Sequence, residues 1–326
     1  MSSLEQTGRC KSVKMEDLYE AAGLSRQAFH QWKQPSQRQL EQTPARVVLQ
    51  LAYQVRSKYL PGSSAREVYY FIRKRPELSE QLVGWGKHLF EKYCLAKGLR
   101  VIPMRFKPKT TIRGDYCFDN LIQGKILTDI NQVWVSDISY IFGEAGNLLG
   151  YATSLLDIYS RHLIGLSFSR TMQAIDTVHP VLEQAFKTRK IHKRKKMPML
   201  IFHSDGGKQY IEKDFIAKLR GADIQSSMAD CCYENAFAEA FNDTLKNHML
   251  SDRVLNSFSE LKKLESFIKK CYNQYKPHTG IERATPLEFE KQIQHLKICQ
   301  RTPLVLKVIK RPDNYKALIK EKKVGK

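Results

Sequence analysis

The sequence lacks several features that mark common protein classes. Its seven cysteines are scattered and form no C-x-x-C pair, which argues against a disulfide framework and against a cysteine-rich zinc site. No apolar run approaches the roughly 18 residues of a membrane span, and no charged segment followed by an apolar stretch opens the chain. The segment GGKQ, residues 206–209, lacks the glycine and lysine spacing of a phosphate-binding P-loop. We therefore expect a reduced, cytoplasmic protein without a membrane partner.

Acidic residues are also scarce. The chain has 33 Asp+Glu against 54 Lys+Arg, a net charge of +21. A surplus of this size favours a polyanionic partner, most commonly nucleic acid. The 326 residues leave room for two or three domains of roughly 100–200 residues each, and a hydrophobic fraction of 42% is enough for a packed core.

Residues 1–60 are interpreted as a helix-turn-helix-like DNA-binding region. Gly23 interrupts a helical pattern, and a second helix follows it. The second helix turns Arg26, Gln27 and His30 outward, where they are candidate contacts to a DNA groove. Two helices that only pack against each other have the same pattern, so both readings remain open.

Three further regions flank the central part of the chain. Residues 61–105 form a second helical DNA-binding region, in which Ser79 begins a helix and Gly98 ends it. Residues 106–128 form a basic linker, and residues 296–326 a loose basic tail. In the second helical region, the apolar stripe that we expect in the core is Leu82, Trp85, Leu89 and Tyr93.

Residues 129–295 have a different pattern. Three short β-rich segments come first, and helices then alternate with two more strands, in the order β-β-β-α-β-α-β-α. This order fits a mixed sheet flanked by helices, as in the ribonuclease H-like fold. The predicted fold class is therefore α/β: a ribonuclease H-like catalytic core preceded by an all-α helix-turn-helix-type region.

Three acidic residues interrupt segments that are otherwise suited to burial. Asp137 lies inside the first strand, Asp205 at the end of the fourth, and Glu239 on the following long helix. Three carboxylates brought together repel one another unless a divalent cation lies between them. Mg²⁺ prefers such hard oxygen ligands, and we expect Mn²⁺ to substitute for it. Two other acidic residues have simpler explanations. Glu234, the alternative to Glu239, lies at a helix N-terminus, where a carboxylate is commonly a cap. Asp157 is interpreted as a turn residue or a partner of Arg161.

The helix that carries Glu239 has a polar face formed by Asn235, Glu239, Asn242 and Lys246. Asn235 and Lys246 are therefore candidate DNA contacts beside the acidic site. The same spacing also describes an ordinary solvated helix face.

A basic string spans residues 187–196, of which seven are Lys or Arg. Lys193 and Arg194 in this string are candidate contacts to the DNA backbone. A solvated charged loop is the alternative.

Several motifs resemble, in order and spacing, the integrase-type (rve) catalytic core of bacterial insertion-sequence transposases. They are VWVSDISYI, HSDGGKQY and SMADCCYENAFAEAFNDTLK, preceded by TTIRGDYCFDNLI and followed by YNQYKPHTGIERATPLEF. The resemblance covers residues 110–290. The chain departs from the family pattern at Gly206 and Lys276, and the 33 residues between Asp205 and Glu239 are slightly fewer than is commonest.

The resemblance implies that Asp137, Asp205 and Glu239 form a DDE triad. It implies a transposase that cuts and joins the DNA ends of a mobile element by phosphoryl transfer with two Mg²⁺ ions. It further implies a nucleoid-associated bacterial protein that binds double-stranded DNA as a homo-oligomer, in some relatives with a small upstream helix-turn-helix protein. A non-catalytic DNA-binding regulator and a nuclease that only hydrolyses are the competing functions.

Overall fold

A computed structural model describes residues 43–101, 118–143, 146–191, 196–229 and 232–307, and the single positions 19, 23, 25 and 27. At these single positions Tyr19 and Gln27 are helical, Gln27 is exposed, and Gly23 lies in a turn with a φ of 60°. The other candidate contacts of the predicted DNA-binding surfaces lie outside the described residues: Arg26, His30, Lys193 and Arg194.

The predicted alternation of strands and helices is confirmed. The strands are β1 Ile126–Leu127, β2 Val133–Phe142, β3 Leu148–Asp157, β4 His162–Ser169, β5 Ile201–Ser204, β6 Gln225–Met228 and β7 Leu304–Val305. The α-helices are α1 Ala45–Lys58, α2 Ala65–Arg73, α3 Pro76–Ser79, α4 Lys87–Ala96, α5 Val178–Thr188, α6 Lys213–Gly221, α7 Ala236–Thr244, α8 Phe258–Lys263, α9 Glu265–Lys270 and α10 Pro286–Gln294.

The central sheet has five strands in the order β4-β3-β2-β5-β6. The pairs β2–β3 and β3–β4 are antiparallel, whereas β2–β5 and β5–β6 are parallel. An antiparallel meander extended by two parallel strands that arrive through helices is the ribonuclease H-like arrangement, so the predicted fold class is confirmed.

Helices cover both faces of this sheet. Alternate residues of β2 enter different cores: Val133 and Val135 pack with α7 on one face, and Trp134 packs with α5 and α6 on the other. Side chains of a strand point alternately to its two sides, so two covered faces require an almost continuously apolar strand. This explains the apolar run with which β2 begins, Val133–Val135.

The helices before the sheet share one core. Val48 and Val55 of α1 lie in the same cluster as Phe71 of α2 and Phe90 of α4. The predicted domain boundary at residue 60 therefore falls inside a single packed unit, because the apolar face of α1 has no other surface to cover it.

The predicted helix from Ser79 to Gly98 is interrupted. Gly84 has a φ of 77°, and α4 begins only after Gly86. The interruption rotates the later apolar stripe, so that Leu89 is 46% exposed while Phe90 and Cys94 are buried. Gly98, with a φ of 90°, follows the end of the helix as predicted.

The ends of the predicted linker and tail meet each other. Strands β1 and β7 pair antiparallel, with Ile126 opposite Val305 and Leu127 opposite Leu304. Leu127 and Leu306 are buried in the main core. The predicted linker, residues 106–128, and the predicted loose tail, residues 296–326, therefore each contribute a strand and a core residue, because each short apolar run gains its backbone hydrogen-bond partner from the other.

The helical unit formed by α1–α4 is docked on the sheet-containing part of the chain through charged contacts. The Arg56 guanidinium donates to both carboxylate oxygens of Asp252, at 3.2 and 3.1 Å, and the Gly62 amide donates to the same carboxylate at 3.0 Å. Lys276, one of the departures from the family pattern, is buried and forms an ion pair with Glu67. This contact ties the closing segment of the core to helix α2.

No helix in the described part of the chain is long and apolar enough to cross a membrane.

Gly62 packs directly on the backbone of His248, which gives a stability prediction. Its φ is 64°, and a Cβ atom there would overlap the backbone carbonyl of His248. We expect Gly62→Ala to lower the free energy of unfolding by about 3 kcal/mol, because steric overlap adds to the roughly 1 kcal/mol of an alanine in the left-handed region. Urea unfolding followed by circular dichroism measures this loss.

Gly98→Ala is the matched control, because Gly98 also has a positive φ but has only the Tyr53 hydroxyl near its Cβ position, at 3.8 Å. Equal losses in the two variants would contradict the close packing of Gly62 on His248.

Candidate active site

Parallel pairing of β2 with β5 brings the first two acidic residues together. The ladder ends with Ser136 opposite Ser204, so Asp137 and Asp205 follow on neighbouring strands at the same level. Asp137 continues β2, where it lies opposite Ser154 of β3, while the chain leaves the sheet at Asp205. The two carboxylates therefore meet at the end of β5.

Two asparagines attach the helix of Glu239 to β2. The Asn235 amide donates to the Ser136 carbonyl at 3.0 Å, and the Asn242 amide donates to the Asp137 carboxylate at 2.6 Å. Asn235 is only 3% exposed. Asn235 was predicted as a DNA contact, but it is buried and its amide holds the start of α7 against β2.

The environment of Asp137 raises the pKa of its carboxyl group to about 7. Burial is the largest cause, and the charges of Asp205 and, more weakly, Glu239 act in the same direction. The Lys246 ammonium opposes them. A buried carboxyl group surrounded by like charges resists ionisation, which is the electrostatic state that a bound cation would reverse.

Asp205 is supported by the turn that follows it. The Gly207 amide donates to the Asp205 carboxylate at 3.1 Å, and a Cβ atom at Gly207 would lie 3.0 Å from that same oxygen. The buried Tyr210 hydroxyl lies 3.0 Å from the Ser136 hydroxyl. Burial and the nearby Asp205 and Asp137 charges raise the pKa of Tyr210 well above its ordinary value, so this side chain is a neutral hydrogen-bonding group beneath the two carboxylates.

Glu239 and Lys246 lie on the outer side of this arrangement. Glu239 is exposed on α7, and partial burial of its carboxyl group raises its pKa. Lys246 is half-buried in a π-helical turn, Leu245–Met249, that continues α7. Burial lowers the pKa of Lys246 and the Asp137 charge raises it. The structure thus brings Asp137 into electrostatic contact with Asp205, Glu239 and Lys246.

The other acidic candidates have structural partners. The Glu234 carboxylate accepts hydrogen bonds from Asn120 and Gln123, at 2.9 and 2.8 Å, which fixes the segment before β1. Asp157 is fully buried and pairs with Arg189 at 3.2 Å, in place of the expected Arg161. Neither residue joins the acidic site.

His203, next to Ser204 in β5, supports the strand. It is buried 2.9 Å from the Ser227 hydroxyl, and burial lowers the pKa of its imidazole to about 4. It is therefore neutral at physiological pH.

No group of three or more His, Cys, Asp or Glu side chains in the described ranges is clustered tightly enough to hold a metal ion as the side chains stand. The chemistry of the donors at Asp137, Asp205 and Glu239 nevertheless suits a hard divalent cation, since all three are carboxylates. Besides burial, the charges of Asp205 and Glu239 raise the pKa of Asp137, and a bound cation would offset those charges.

Comparison with known proteins gives the family. Residues 128–231 and 221–286 match two family descriptions, each given as integrase core domain. Transposase InsF for insertion sequence IS3fB of Escherichia coli is 31% identical over 233 residues, which cover 67% of this chain and 76% of that protein. The chain belongs to the insertion-sequence transposase family. Asp137 and Asp205 lie in the first matched range, and Glu239 in the second.

Other relatives cover the chain to different extents. The transposase for insertion sequence element IS904 of Lactococcus lactis is 33% identical over 164 residues, 49% of this chain and 62% of the relative. The 31 kDa protein of insertion element IS600 of Shigella sonnei is 27% identical over 285 residues, 84% of this chain and 97% of the relative. The HTLV-2 integrase catalytic core domain, solved in complex with magnesium, has a TM-score of 0.36 and 14% identity over 49% of this chain and 97% of that chain.

Two residues of the acidic site were not predicted as site residues from the sequence. Asn242 lies three residues after Glu239 on the predicted polar face, so the helical spacing could have identified it as the group that orients Asp137. Tyr210 belongs to the HSDGGKQY motif, but its contact with Ser136 depends on how the turn after β5 folds back.

The pKa of Asp137 gives a pH-dependent stability prediction for the metal-free protein. In the unfolded chain this group ionises near 3.8, and in the folded protein near 7. The unfolded state therefore releases the proton first, and the folded state loses stability as the pH rises between these values. We expect Asp137→Asn to be more stable than the unchanged protein by about 2–4 kcal/mol at about pH 8, with the difference shrinking towards about pH 5.

Urea unfolding in a chelating buffer across this pH range measures the difference. Asp243→Asn is the control, because Asp243 is an exposed carboxylate on the same helix. A difference between Asp137→Asn and the unchanged protein that stays constant with pH would show that Asp137 is not destabilised by its surroundings.

Proposed function

We propose that this transposase cuts the ends of its mobile element and joins them to target DNA by phosphoryl transfer, with Asp137, Asp205 and Glu239 as metal ligands. The observation that carries the proposal is the pairing of β2 with β5, which brings Asp137 beside Asp205 while Asn242 orients the Asp137 carboxylate. Three carboxylates on two strands and one helix are of little use to stability, since their charges repel.

We infer that the site takes divalent cations, with Mg²⁺ as the physiological ion and Mn²⁺ as a substitute. Two such ions stabilise the charge on the attacking and leaving oxygens of an in-line displacement at phosphorus. The chain's own contribution is to fix the ligands. The Gly207 amide fixes Asp205 and the Asn242 amide fixes Asp137, and Glu239 approaches them from α7.

Lys246 is assigned to the DNA phosphate beside the carboxylates. Its ammonium group lies on the helix of Glu239 and is close enough to Asp137 to affect its pKa. Gln27, exposed and helical, remains a candidate groove contact together with Arg26 and His30, and Lys193 and Arg194 remain candidate backbone contacts. A homo-oligomer that holds two DNA ends, with or without a small upstream helix-turn-helix protein, completes the proposal.

Asp205→Asn tests the catalytic assignment. We expect cleavage and joining of a labelled duplex that carries the element end to fall by about 1,000-fold or more, because loss of a metal ligand removes several kcal/mol of charge stabilisation in the transition state. DNA binding should be retained, since the carboxylate makes no favourable contact with phosphate.

The control is Asp214→Asn, which removes an exposed carboxylate in the first turn of α6. Joining by Asp205→Asn at a rate near that of the unchanged protein would overturn the triad. Binding without metal-dependent cleavage in the unchanged protein would favour the non-catalytic regulator, and cleavage without joining would favour the nuclease.

Lys246→Gln tests the phosphate contact. We expect weaker binding to all duplex sequences, and a salt dependence of log K whose slope is smaller in magnitude by about one, because one fewer counterion is released. Fluorescence anisotropy between about 50 and 200 mM salt measures the slope.

Lys218→Gln is the matched control, because Lys218 is already paired with Glu183 at 2.9 Å. An unchanged slope in Lys246→Gln would remove Lys246 from the DNA interface.

A further inference from the structure

A cavity of about 330 Å³ lies beside the helix of Glu239. Its walls come from the end of β3, from α7 and from the segment after α9, and they include Ala236, Phe237, Ala240 and Thr244 of α7. Ala236 and Ala240 are exposed, so the cavity opens at the surface. It shares α7 with Glu239, but none of the three carboxylates of the active site lines it.

A desolvated cation faces this cavity. The Arg161 guanidinium lies 4.2 Å from the centre of the Phe237 ring and against Gly280, whose absent side chain leaves it room. Burial lowers the pKa of Arg161, yet a guanidinium stays protonated at physiological pH. The φ of Arg161 is 62°, an uncommon conformation for this residue type and one that often marks functional positions.

Within the described residues, Arg161 has no carboxylate at ion-pair distance. The nearest acid in sequence is Asp157, and its carboxylate is held by Arg189 at 3.2 Å and by the Asn131 amide at 2.7 Å. The charge of Asp157 favours the protonated form of Arg161, but the half-buried guanidinium makes no direct ion pair with any described residue, so part of its desolvation cost is not offset. The cavity is thus prepared for an anion from outside the chain.

Asp157 also lines the cavity, but its carboxylate is paired with Arg189, and the titratable side chains Tyr272 and His278 are neutral. Burial lowers the pKa of His278 to about 3 and raises that of Tyr272, so neither carries charge at neutral pH. The buried His278 Nε2 has no hydrogen-bond partner in the described part of the chain. A cation without a direct ion pair in the described ranges, a carboxylate already paired with Arg189, neutral polar groups and an aromatic wall together suit a phosphate attached to a nucleoside.

We propose that Arg161 and this cavity bind a phosphate of the DNA strand that crosses α7 from the active site. The inference rests on the proposed function, because it takes DNA as the ligand. An α-helix is about 10–12 Å across, and a DNA strand rises about 3.4 Å per nucleotide. The bound phosphate therefore lies about three or four nucleotides from the one at the carboxylates, which fixes the path of the strand.

The test compares equilibrium binding of a fluorescent duplex by the full chain in a chelating buffer, where no cleavage occurs. We expect Arg161→Gln to raise Kd about tenfold or more, because a charge-assisted contact is lost. Arg170→Gln is the matched control: Arg170 also lies over a phenylalanine ring, Phe258, at 5.0 Å, but it is exposed and does not line the cavity. We expect its Kd to change less than about twofold.

Ala240→Leu tests the cavity without removing the arginine. Position 240 is exposed on α7, so the added side chain should enter the cavity mouth without disturbing the core. We expect the same rise in Kd as for Arg161→Gln. This variant decides the question if thermal unfolding shows that Arg161→Gln is not folded.

Inorganic phosphate, followed by ³¹P line broadening, separates this inference from the proposed function. Broadening that Arg161→Gln abolishes and Arg170→Gln retains supports the anion site, even if the unchanged protein binds no duplex and the proposed function fails. Unchanged duplex affinity in both Arg161→Gln and Ala240→Leu overturns the inference and leaves the DNA transposase function intact.

Discussion

The parallel pairing of β2 with β5 is the interaction on which the rest of the site depends. It joins a strand of the antiparallel meander to one that arrives through a helix, and its last rung, Ser136 with Ser204, precedes the two aspartates. Because the pairing is in register, the carboxylates come out at the same level. A slip of one residue would turn Asp137 to the opposite face of the sheet. The hydrophobic cores on both faces fix that register, since Val133, Val135 and Trp134 each have a place on only one side.

Helix α7 connects β2 to the helical unit. Asn235 and Asn242 bind it to β2 at two successive points, and the π-helical turn that continues it ends against the helical unit, where Gly62 packs on His248. The unit that precedes the sheet is therefore attached at the far end of the helix that carries Glu239.

Two arginines near Asp157 differ in whether a carboxylate pairs with them. Arg189 is buried with Asp157 and Glu290, as part of a satisfied network. Arg161 lies close to the same aspartate in sequence, and that charge acts to raise its pKa, but its guanidinium lies over Phe237 and makes no direct ion pair in the part of the chain that the structure describes. A single carboxylate cannot satisfy two buried guanidinium groups in different directions. The fold uses Asp157 to hold a helix against the sheet and leaves Arg161 facing a cavity beside α7.

The sequence by itself determined the order of strands and helices, the positions of Asp137 inside β2 and of Asp205 at the end of β5, and the polar face of α7. These depend on periodicity and on breaks in apolar runs, which are local properties. Only the tertiary structure decided that Asn235 is buried, that α1 joins the following helices in one core, and that β1 and β7 pair. It also decided that Asp157 forms its ion pair with Arg189 and not with Arg161. Each of these is a choice among partners distant in sequence, and that choice depends on which surfaces and charges the folded chain brings within reach.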